Sequence, residues 1–315
     1  MVPNYDMFAD LGFQPDDRLV IIHADDVGMC NGANVAFREL SDLGSVSSGA
    51  VMVPCPWFLN VLELAEQNPN LDIGVHLTLT SEWKSYRWGP ISTTNKSSGL
   101  IDDQGYFWHR TPMLAEHVVP EAAEIEMRAQ IEKALDLGLD ISHLDAHMGV
   151  AFIPQLFGIY LRLGMEYQLP ILLPRMITDY TSVLELGKPP LIMYQKAIEE
   201  MENIGWPIID YFRMTPGVPS EEVRTVYYGM MGALPKGLTF VALHPTCPGE
   251  IESIVPPKAH YRTDEYRLLR DPEFIKFIKD KGITTIGFRK LRGWLRNNLS
   301  KTSDQCSTNI NNETN

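Results

Sequence analysis

Two adjacent carboxylates follow an apolar run near the start of the chain. The run 19–22 (Leu-Val-Ile-Ile) leads through His23 and Ala24 into Asp25 and Asp26. β-Branched residues in such a run predict a buried strand, and parallel α/β folds place their chemistry at the carboxyl ends of strands. Neighbouring carboxylates repel each other unless a cation or a proton relieves the repulsion. We therefore expect this pair to belong to a metal site or an acid–base site.

Further ionisable side chains recur where other strands are expected to end. They are His76, His147, Arg175 and His244. If the strands are parallel, these side chains share one rim with the acid pair. One carboxylate and two imidazoles suit Zn²⁺ or another divalent ion and leave positions open for water and substrate. Such an ion lowers the pKa of water, and a nearby carboxylate can accept the proton.

Each of these side chains also has an ordinary structural explanation. A single histidine at a strand terminus, such as His76, is commonly only a polar residue. In the segment 143–147 (His-Leu-Asp-Ala-His), the polar residues alternate and so share one face of a strand. This alternation fits a hydrogen-bonded cluster as well as a ligand set, and we interpret His143 as structural. Spacing alone leaves both alternatives open.

The hydrophobic pattern predicts strands and helices in alternation. After the first strand, further strands are expected near 46–53, 71–80, 139–146, 170–173, 208–212, 238–243 and 283–288. Most are separated by helical patterns, and no domain linker or internal repeat interrupts them. This order predicts one α/β domain over residues 1–298, a distorted or incomplete TIM-like (β/α) barrel of about eight strands. An open, doubly wound sheet is the alternative.

Two segments depart from this alternation. Between about residues 81 and 119 the pattern breaks down over a stretch that is long for a loop. This insertion holds Trp83, Trp88 and Trp108, half of the six tryptophans in the chain. Its aromatic residues are typical either of a small core that holds the insertion in place or of a platform for a ligand. At the other end, the polar segment 299–315 is expected to form a disordered tail.

Composition limits the partners and the compartment. The 315 residues include 27 basic and 40 acidic side chains, and the net charge of −13 opposes binding to nucleic acid and anionic membranes. No apolar run approaches the ~20 residues that span a bilayer, and the first residues lack the pattern of a signal peptide. The four cysteines show no CxxC spacing, which predicts reduced thiols in a cytoplasmic protein. The oligomeric state stays open, with a homodimer as one option.

Four short motifs occur in a fixed order along the chain. They are 24–28 (Ala-Asp-Asp-Val-Gly) with Asn34, 74–78 (Gly-Val-His-Leu-Thr), 143–147 (His-Leu-Asp-Ala-His) and 244–245 (His-Pro). In this order they resemble the YdjC-like carbohydrate deacetylase family, and they spread over most of the expected fold. The resemblance implies a distorted TIM-like barrel that removes N-acetyl groups from amino sugars such as chito-oligosaccharides, with a divalent metal ion as cofactor.

The resemblance also implies roles for individual positions. Asp26, His76 and His147 correspond to the ligands of one divalent ion, Mg²⁺ or Zn²⁺. Asp25 corresponds to the acid proposed as general base. His244 corresponds to a late histidine that suits a general acid or a donor to the transition state.

The implied substrate contacts are less well defined. Arg175 corresponds to an arginine near the site, and Trp83 and Trp88 of the insertion are expected to stack on sugar faces. The stretch 261–266 keeps the arginine-to-acid spacing of similar chains, whereas Val27 replaces a common phenylalanine. The exact small carbohydrate therefore stays open. The alternatives are a metal-dependent hydrolase of another amide or ester on the same site, and a carbohydrate-binding protein without catalysis.

Overall fold

Strand β1 (Arg18–Val27) lies at the centre of a parallel sheet in the computed structural model, which describes residues 6–176, 178 and 190–313, with side chains to 301. One edge of β1 pairs with β6 (Gly237–Leu243). The other edge pairs first with β7 (Ile283–Thr285) and then with β2 (Ser48–Val51). Side chains 19–24 of β1 are all buried, which explains why its apolar run is continuous rather than alternating.

The remaining strands extend the sheet on both sides. They are β3 (Ile73–Leu77), β4 (Leu144–Ala146) and β5 (Tyr211–Met214). All pairs are parallel, and the order is β4-β3-β2-β1-β6-β5, with β7 beside β1. The distorted (β/α) barrel is therefore confirmed, and the open doubly wound sheet is not observed within the described part of the chain.

The strand expected at 170–173 is replaced by isolated bridges, so seven strands form among the described residues instead of about eight. Ile171 bridges to Leu144 of β4, and Pro174 bridges to Ile209 just before β5. Proline has no N–H to donate to a ladder, and Pro170 and Pro174 flank this short segment. The segment thus connects the two edges of the sheet by single bridges, which makes the barrel incomplete.

Helices cover the sheet and supply the chain connections. The α-helices of the described residues are α1 (Met7–Asp10), α2 (Asn31–Asp42), α3 (Phe58–Gln67), α4 (Thr111–His117), α5 (Pro120–Asp136), α6 (Pro154–Tyr167), α7 (Leu191–Asn203), α8 (Val223–Gly232), α9 (Ile251–Ile254), α10 (Ala259–Leu269), α11 (Pro272–Asp280) and α12 (Phe288–Glu313). Two 3₁₀ segments occupy Lys96–Ser98 and His147–Phe152. One hydrophobic core contains side chains from Leu19 to Leu295. Across the described ranges, no helix has the combined length and apolarity needed to cross a bilayer.

Helix α12 continues further than composition suggests. The segment 299–315, expected to be a disordered tail, is helical as far as Glu313. Three cysteines, Cys30, Cys55 and Cys247, carry free thiols, in agreement with the prediction. The side chain of Cys306 lies outside the described part.

The insertion at about 81–119 folds around its own apolar residues. Trp88 and Phe107 are buried, and the indole N–H of Trp88 donates to the Thr80 carbonyl over 2.8 Å. Trp108 bridges to Thr80 and stacks on His117 with ring centroids 4.2 Å apart. The small-core interpretation is therefore confirmed for this part of the insertion.

Candidate active site

The acid pair lies in an irregularity at the end of β1. Ala24 pairs with Gly49 and Val27 with Val51, so β1 has one residue more than β2 in this interval. Asp26 has φ of +61°, in the left-handed region that few non-glycine residues adopt. In a regular strand, adjacent side chains point to opposite faces, whereas a bulge can redirect one of them. Both carboxylates consequently line the same cavity.

Asp26 is the centre of a buried cluster. Its Oδ1 lies 3.0 Å from Nδ1 of His147 and 3.5 Å from Nε2 of His76. These three residues offer potential ligand atoms that all lie within 4.8 Å of one another. The predicted ligand positions thus come together from the ends of β1, β3 and β4.

The donor set fits a divalent cation. Among the residues that the structure describes, no donor makes a hydrogen bond of good geometry to the buried Oδ1 of Asp26, although two imidazole nitrogens are close to it. A buried carboxylate oxygen without a partner is costly, and a cation would satisfy it. One carboxylate and two imidazoles also match the ligands of Zn²⁺ and related ions.

Two further carboxylates hold the imidazoles from behind. Asp145 of β4 lies 2.7 Å from Nδ1 of His76, and Glu82 of the insertion lies 2.9 Å from Nε2 of His147. Carboxylates in this position fix the ring orientation of metal-ligating histidines. Asp145 therefore belongs to a supporting layer, which explains why the polar residues of 143–147 alternate.

The acids change the proton affinity of the cluster. Burial lowers the pKa of His147, but Glu82 and Asp26 outweigh it and raise the value to about 9. Burial likewise opposes the charge of His76, but Asp145 raises the pKa of this imidazole well above its usual range. Because a metal ion displaces protons from its ligands, metal binding here should weaken as the pH falls.

Arg262 of α10 is a site residue that the sequence analysis did not assign. Its Nη2 lies 2.7 Å from Oδ2 of Asp26, while its buried Nη1 has no hydrogen-bond partner among the described residues. Burial opposes the charge of Asp26, yet Arg262 and His147 hold the pKa of that carboxyl well below its usual range. The available signal was the 261–266 stretch, whose arginine and glutamate lie three positions apart and share one face of a helix.

Asp25 has a separate set of partners. Its Oδ1 lies 2.6 Å from Nδ1 of His23, and its Oδ2 lies 3.7 Å from Nε2 of His244. The other nitrogen of His23 lies 2.9 Å from Nε2 of His143, whose ring stacks on Phe288. His143 therefore lies behind His23 and packs on Phe288, and His23 is a further residue in contact with Asp25.

His244 follows β6, which lies on one side of β1 in the sheet order. The strands that position His76 and His147, β3 and β4, lie on the other side of β1. The Nδ1 atom of His244 lies 2.8 Å from Oγ1 of Thr215, which follows β5. About one fifth of its side chain is exposed, so the imidazole remains accessible from solvent. The structure thus brings the predicted general acid next to the predicted general base, and both next to the cluster of Asp26.

A cavity of about 740 Å³ opens at this rim. Its lining includes the two aspartates and His76, His147, His244, Arg262, Trp83, Arg110, Lys258 and Tyr261. The volume lies within the range for pockets that enclose a small ligand. The carboxyl end of the sheet therefore combines a ligand-sized cavity with paired acids and bases.

Arg175, which the sequence predicts near the substrate, does not line this cavity and instead lines a second, smaller groove. Its guanidinium binds both carboxylate oxygens of Glu202, at 2.7 and 2.8 Å, and Asp210 at 3.3 Å. Asp210 precedes β5 and accepts from the backbone N–H of Leu238 at the start of β6. The stagger of the barrel thus places Arg175 beside the amino ends of these strands, away from the cavity.

The two tryptophans expected at the substrate have different positions. Trp83 lines the cavity, in agreement with a ligand-stacking role. Trp88 is 3% exposed, and its ring packs edge-on against His147 with centroids 6.0 Å apart. Trp88 therefore packs behind His147 inside the small core of the insertion and does not line the cavity.

Together, the fold and the site define a (β/α)-barrel protein with a buried centre of one carboxylate and two imidazoles, beside a second aspartate and a further histidine. Residues 19–280 match the family model described as YdjC-like protein. The chain belongs to the YdjC-like family, as the sequence motifs predicted.

Similar proteins carry a common description. The carbohydrate deacetylase of Thermus thermophilus is 33% identical over 266 residues, which cover 84% of this chain and 90% of that protein. A carbohydrate deacetylase of Thermoanaerobacter pseudethanolicus is 25% identical and is covered completely, over 87% of this chain. A crystal structure from Enterococcus faecalis, named for a proposed role in cellobiose-phosphate cleavage, aligns with a TM-score of 0.68 and 25% identity over 87% of this chain and 99% of that one.

Proposed function

We propose that this protein is a carbohydrate deacetylase that hydrolyses the N-acetyl group of an amino sugar with the help of one divalent metal ion. The observation that carries the proposal is the position of the buried Oδ1 of Asp26 between the imidazoles of His76 and His147, with potential ligand atoms of all three residues within 4.8 Å of one another. The carbohydrate deacetylases among its relatives support the substrate class, since one of them is aligned over 90% of its length.

Asp26, His76 and His147 would hold the ion. When bound at such a site, a divalent ion supplies Lewis-acid polarisation of a carbonyl oxygen and increases the acidity of water. Mg²⁺ and Zn²⁺ are the proposed ions, because mixed carboxylate and imidazole sets accept both. Asp145 and Glu82 keep the two rings in the orientation that presents their nitrogens to the ion.

Asp25 is the proposed general base. It accepts a proton from the water that attacks the carbonyl carbon, and it is placed beside the ligand cluster without being part of the Asp26 triad. The contact of its Oδ1 with His23 directs Oδ2 toward the cavity. A positioned carboxylate of this kind contributes a rate factor of roughly 10²–10⁴.

His244 is the proposed general acid. Its Nε2 gives a proton to the amine nitrogen as the bond between this nitrogen and the acetyl carbon breaks. Arg262 is proposed as the arginine near the substrate, the role that the sequence predicts for Arg175. Its unpartnered Nη1 can donate to the oxygen on which negative charge develops, an interaction that in other enzymes is worth roughly 10²–10³ in rate.

Trp83 is the proposed sugar contact. Indole faces suit the apolar face of a pyranose, and Trp83 lies at the cavity wall with its indole nitrogen buried without a partner. The proposed substrate is a small carbohydrate. The proposed location is the cytoplasm, which is consistent with the free thiols at Cys30, Cys55 and Cys247.

Metal analysis paired with an acetate-release assay on N,N′-diacetylchitobiose tests the proposal. Asp26→Asn should lose both bound metal and activity, because it removes the charge shared by the ligand set. Asp25→Asn is the matched control, since it makes the same change one residue earlier. It should retain the metal and lose turnover by roughly 10²-fold or more.

Three results would contradict the proposal. Full metal content in Asp26→Asn would remove the ligand assignment, and undiminished turnover in Asp25→Asn would remove the base. If the metal-loaded wild-type protein cleaves another amide or ester but releases no acetate from the chitobiose, the site acts on a different class of substrate.

A further inference from the structure

We propose that Thr215 and Glu265 form a positioning pair that keeps the proton of His244 on Nδ1 and leaves Nε2 for proton transfer in the cavity. The inference deepens the proposed function and rests on His244 as its general acid. Neither Thr215 nor Glu265 touches the reacting atoms in this scheme, so they act through the imidazole.

The three side chains come from three separate elements. Thr215 follows β5, His244 follows β6, and Glu265 lies in α10. The Thr215 hydroxyl lies 2.8 Å from Nδ1 of His244 and 2.6 Å from Oε1 of Glu265. Glu265 also reaches the backbone of His244, whose N–H donates to Oε2 over 2.7 Å. The carboxylate therefore holds both the main chain and, through Thr215, the ring of the same histidine.

The hydroxyl can donate only one hydrogen. A carboxylate can only accept, so the hydrogen of Thr215 must be donated to Glu265. The lone pairs of the hydroxyl then accept from His244, and Nδ1 must carry the hydrogen. Because one ring nitrogen is fixed as a donor, the tautomer of the neutral imidazole is fixed as well.

Glu265 is a buried carboxyl group that faces several hydrogen-bond donors. It is fully buried, and burial raises the pKa of its carboxyl. Three donors nevertheless face it: the hydroxyls of Thr215 and Tyr227 and the backbone N–H of His244. A buried carboxylate is costly unless it is hydrogen-bonded. These three donors are the partners that Glu265 requires as an acceptor in this position.

The consequence lies at the other ring nitrogen. Nε2 of His244 is 3.7 Å from Oδ2 of Asp25 and lines the cavity. With Nδ1 always protonated, every proton that His244 gains or loses is exchanged at Nε2. The proton delivered to the amine therefore leaves from the nitrogen that faces the cavity, and the ring does not have to rotate between turnovers.

Substitution of Thr215 tests the pair, because the loss of turnover should depend on whether the leaving group needs a proton. Thr215→Val should lower kcat for N,N′-diacetylchitobiose by about 10–100-fold, since misplacement of a catalytic group can cost about 10²-fold. Turnover of p-nitrophenyl acetate should fall much less, because p-nitrophenolate leaves without a proton. Thr215→Ser should restore the rate on the amide, and Glu265→Gln should resemble Thr215→Val.

Thr239→Val is the matched control. Thr239 is a buried threonine of β6 whose hydroxyl has no hydrogen-bond partner. The same removal of a buried hydroxyl there should leave both substrates unaffected within about twofold. A loss of amide turnover in Thr239→Val as large as in Thr215→Val would overturn the inference.

Nitrogen NMR of the metal-loaded wild-type protein tests the tautomer without any assay. With ¹⁵N-labelled histidine, the nitrogen shifts of the neutral His244 ring should place its hydrogen on Nδ1. Its signals are assigned by their loss in His244→Gln. A hydrogen on Nε2 would overturn the inference even if acetate is released. Absence of acetate release with the hydrogen on Nδ1 would overturn the proposed function instead.

Discussion

The two ends of the barrel each carry an arginine surrounded by acids, and the two arginines differ in burial. At the carboxyl end, Arg262 makes one contact of 2.7 Å with Asp26 and is 8% exposed. At the amino end, the side chain of Arg175 is 43% exposed, although it holds Glu202 with two hydrogen bonds and Asp210 with a third. The groove around Arg175 measures about 260 Å³, against about 740 Å³ at the carboxyl end.

The number of hydrogen bonds does not distinguish Arg262, which lines the cavity, from Arg175, which does not. Exposed ion pairs contribute only about 0–1 kcal/mol to stability, so they are frequent on surfaces without any function. A buried ion pair costs several kcal/mol of desolvation per ion, which hydrophobic side chains would avoid. A buried guanidinium that leaves Nη1 without a partner, as in Arg262, is therefore the feature that indicates a binding role.

Replacing each arginine by methionine gives the largest expected contrast. Arg262→Met should lower kcat/KM for acetate release by about 10²-fold or more, because it removes the partner of Asp26 and a donor to the developing oxyanion. Arg175→Met should leave kcat/KM within about twofold. Steady-state assays on both variants at matched metal content measure the contrast. Equal losses in the two variants would mean that burial does not separate their roles.

Much of the site could be predicted from the sequence because strand ends are visible in it. An apolar run that stops at an ionisable residue marks the end of a strand, and parallel strands bring such ends to one rim. Asp26, His76, His147 and His244 all follow this rule. Their roles, however, came from the order of the motifs, since spacing alone fitted a hydrogen-bonded cluster equally well.

The residues that sequence analysis did not assign come from parts of the chain without such a signal. Glu82 belongs to the insertion, and Arg262 lies in a helix about 240 positions after the acid pair. Asp25 and Asp26 share the cavity only because a bulge interrupts β1, and periodicity does not show bulges. Arg175 was misplaced because the stagger of a barrel depends on strand pairing, which one sequence does not contain.

Two of the three tryptophans of the insertion, Trp83 and Trp88, allow the same comparison at a smaller scale. Trp88→Ala should lower the free energy of unfolding by about 3–5 kcal/mol, because it removes a buried aromatic ring from the small core. Trp83→Ala should have little effect on stability. It should instead raise KM by about 2–10-fold, since aromatic contacts are worth about 0.5–1.5 kcal/mol. Chemical denaturation and substrate titration separate the two effects, and a raised KM with unchanged stability in Trp88→Ala would contradict the assignment.

The smallest expected effect concerns Asp140, which precedes β4 and pairs with Arg289 and Arg292 of α12. The hydrogen bond from Arg292 lowers the pKa of Asp140 below its ordinary 3.8. A group whose folded pKa is lowered stabilises the protein above its unfolded pKa and loses this contribution as the pH falls. Asp140→Asn should therefore reduce the free energy of unfolding by about 0.2–1 kcal/mol at pH 7, and the difference should shrink below about pH 4. Asp103→Asn, at an exposed carboxylate that pairs with Lys96, is the control. A difference that grows toward acid pH would show that the pair is not formed in the folded state.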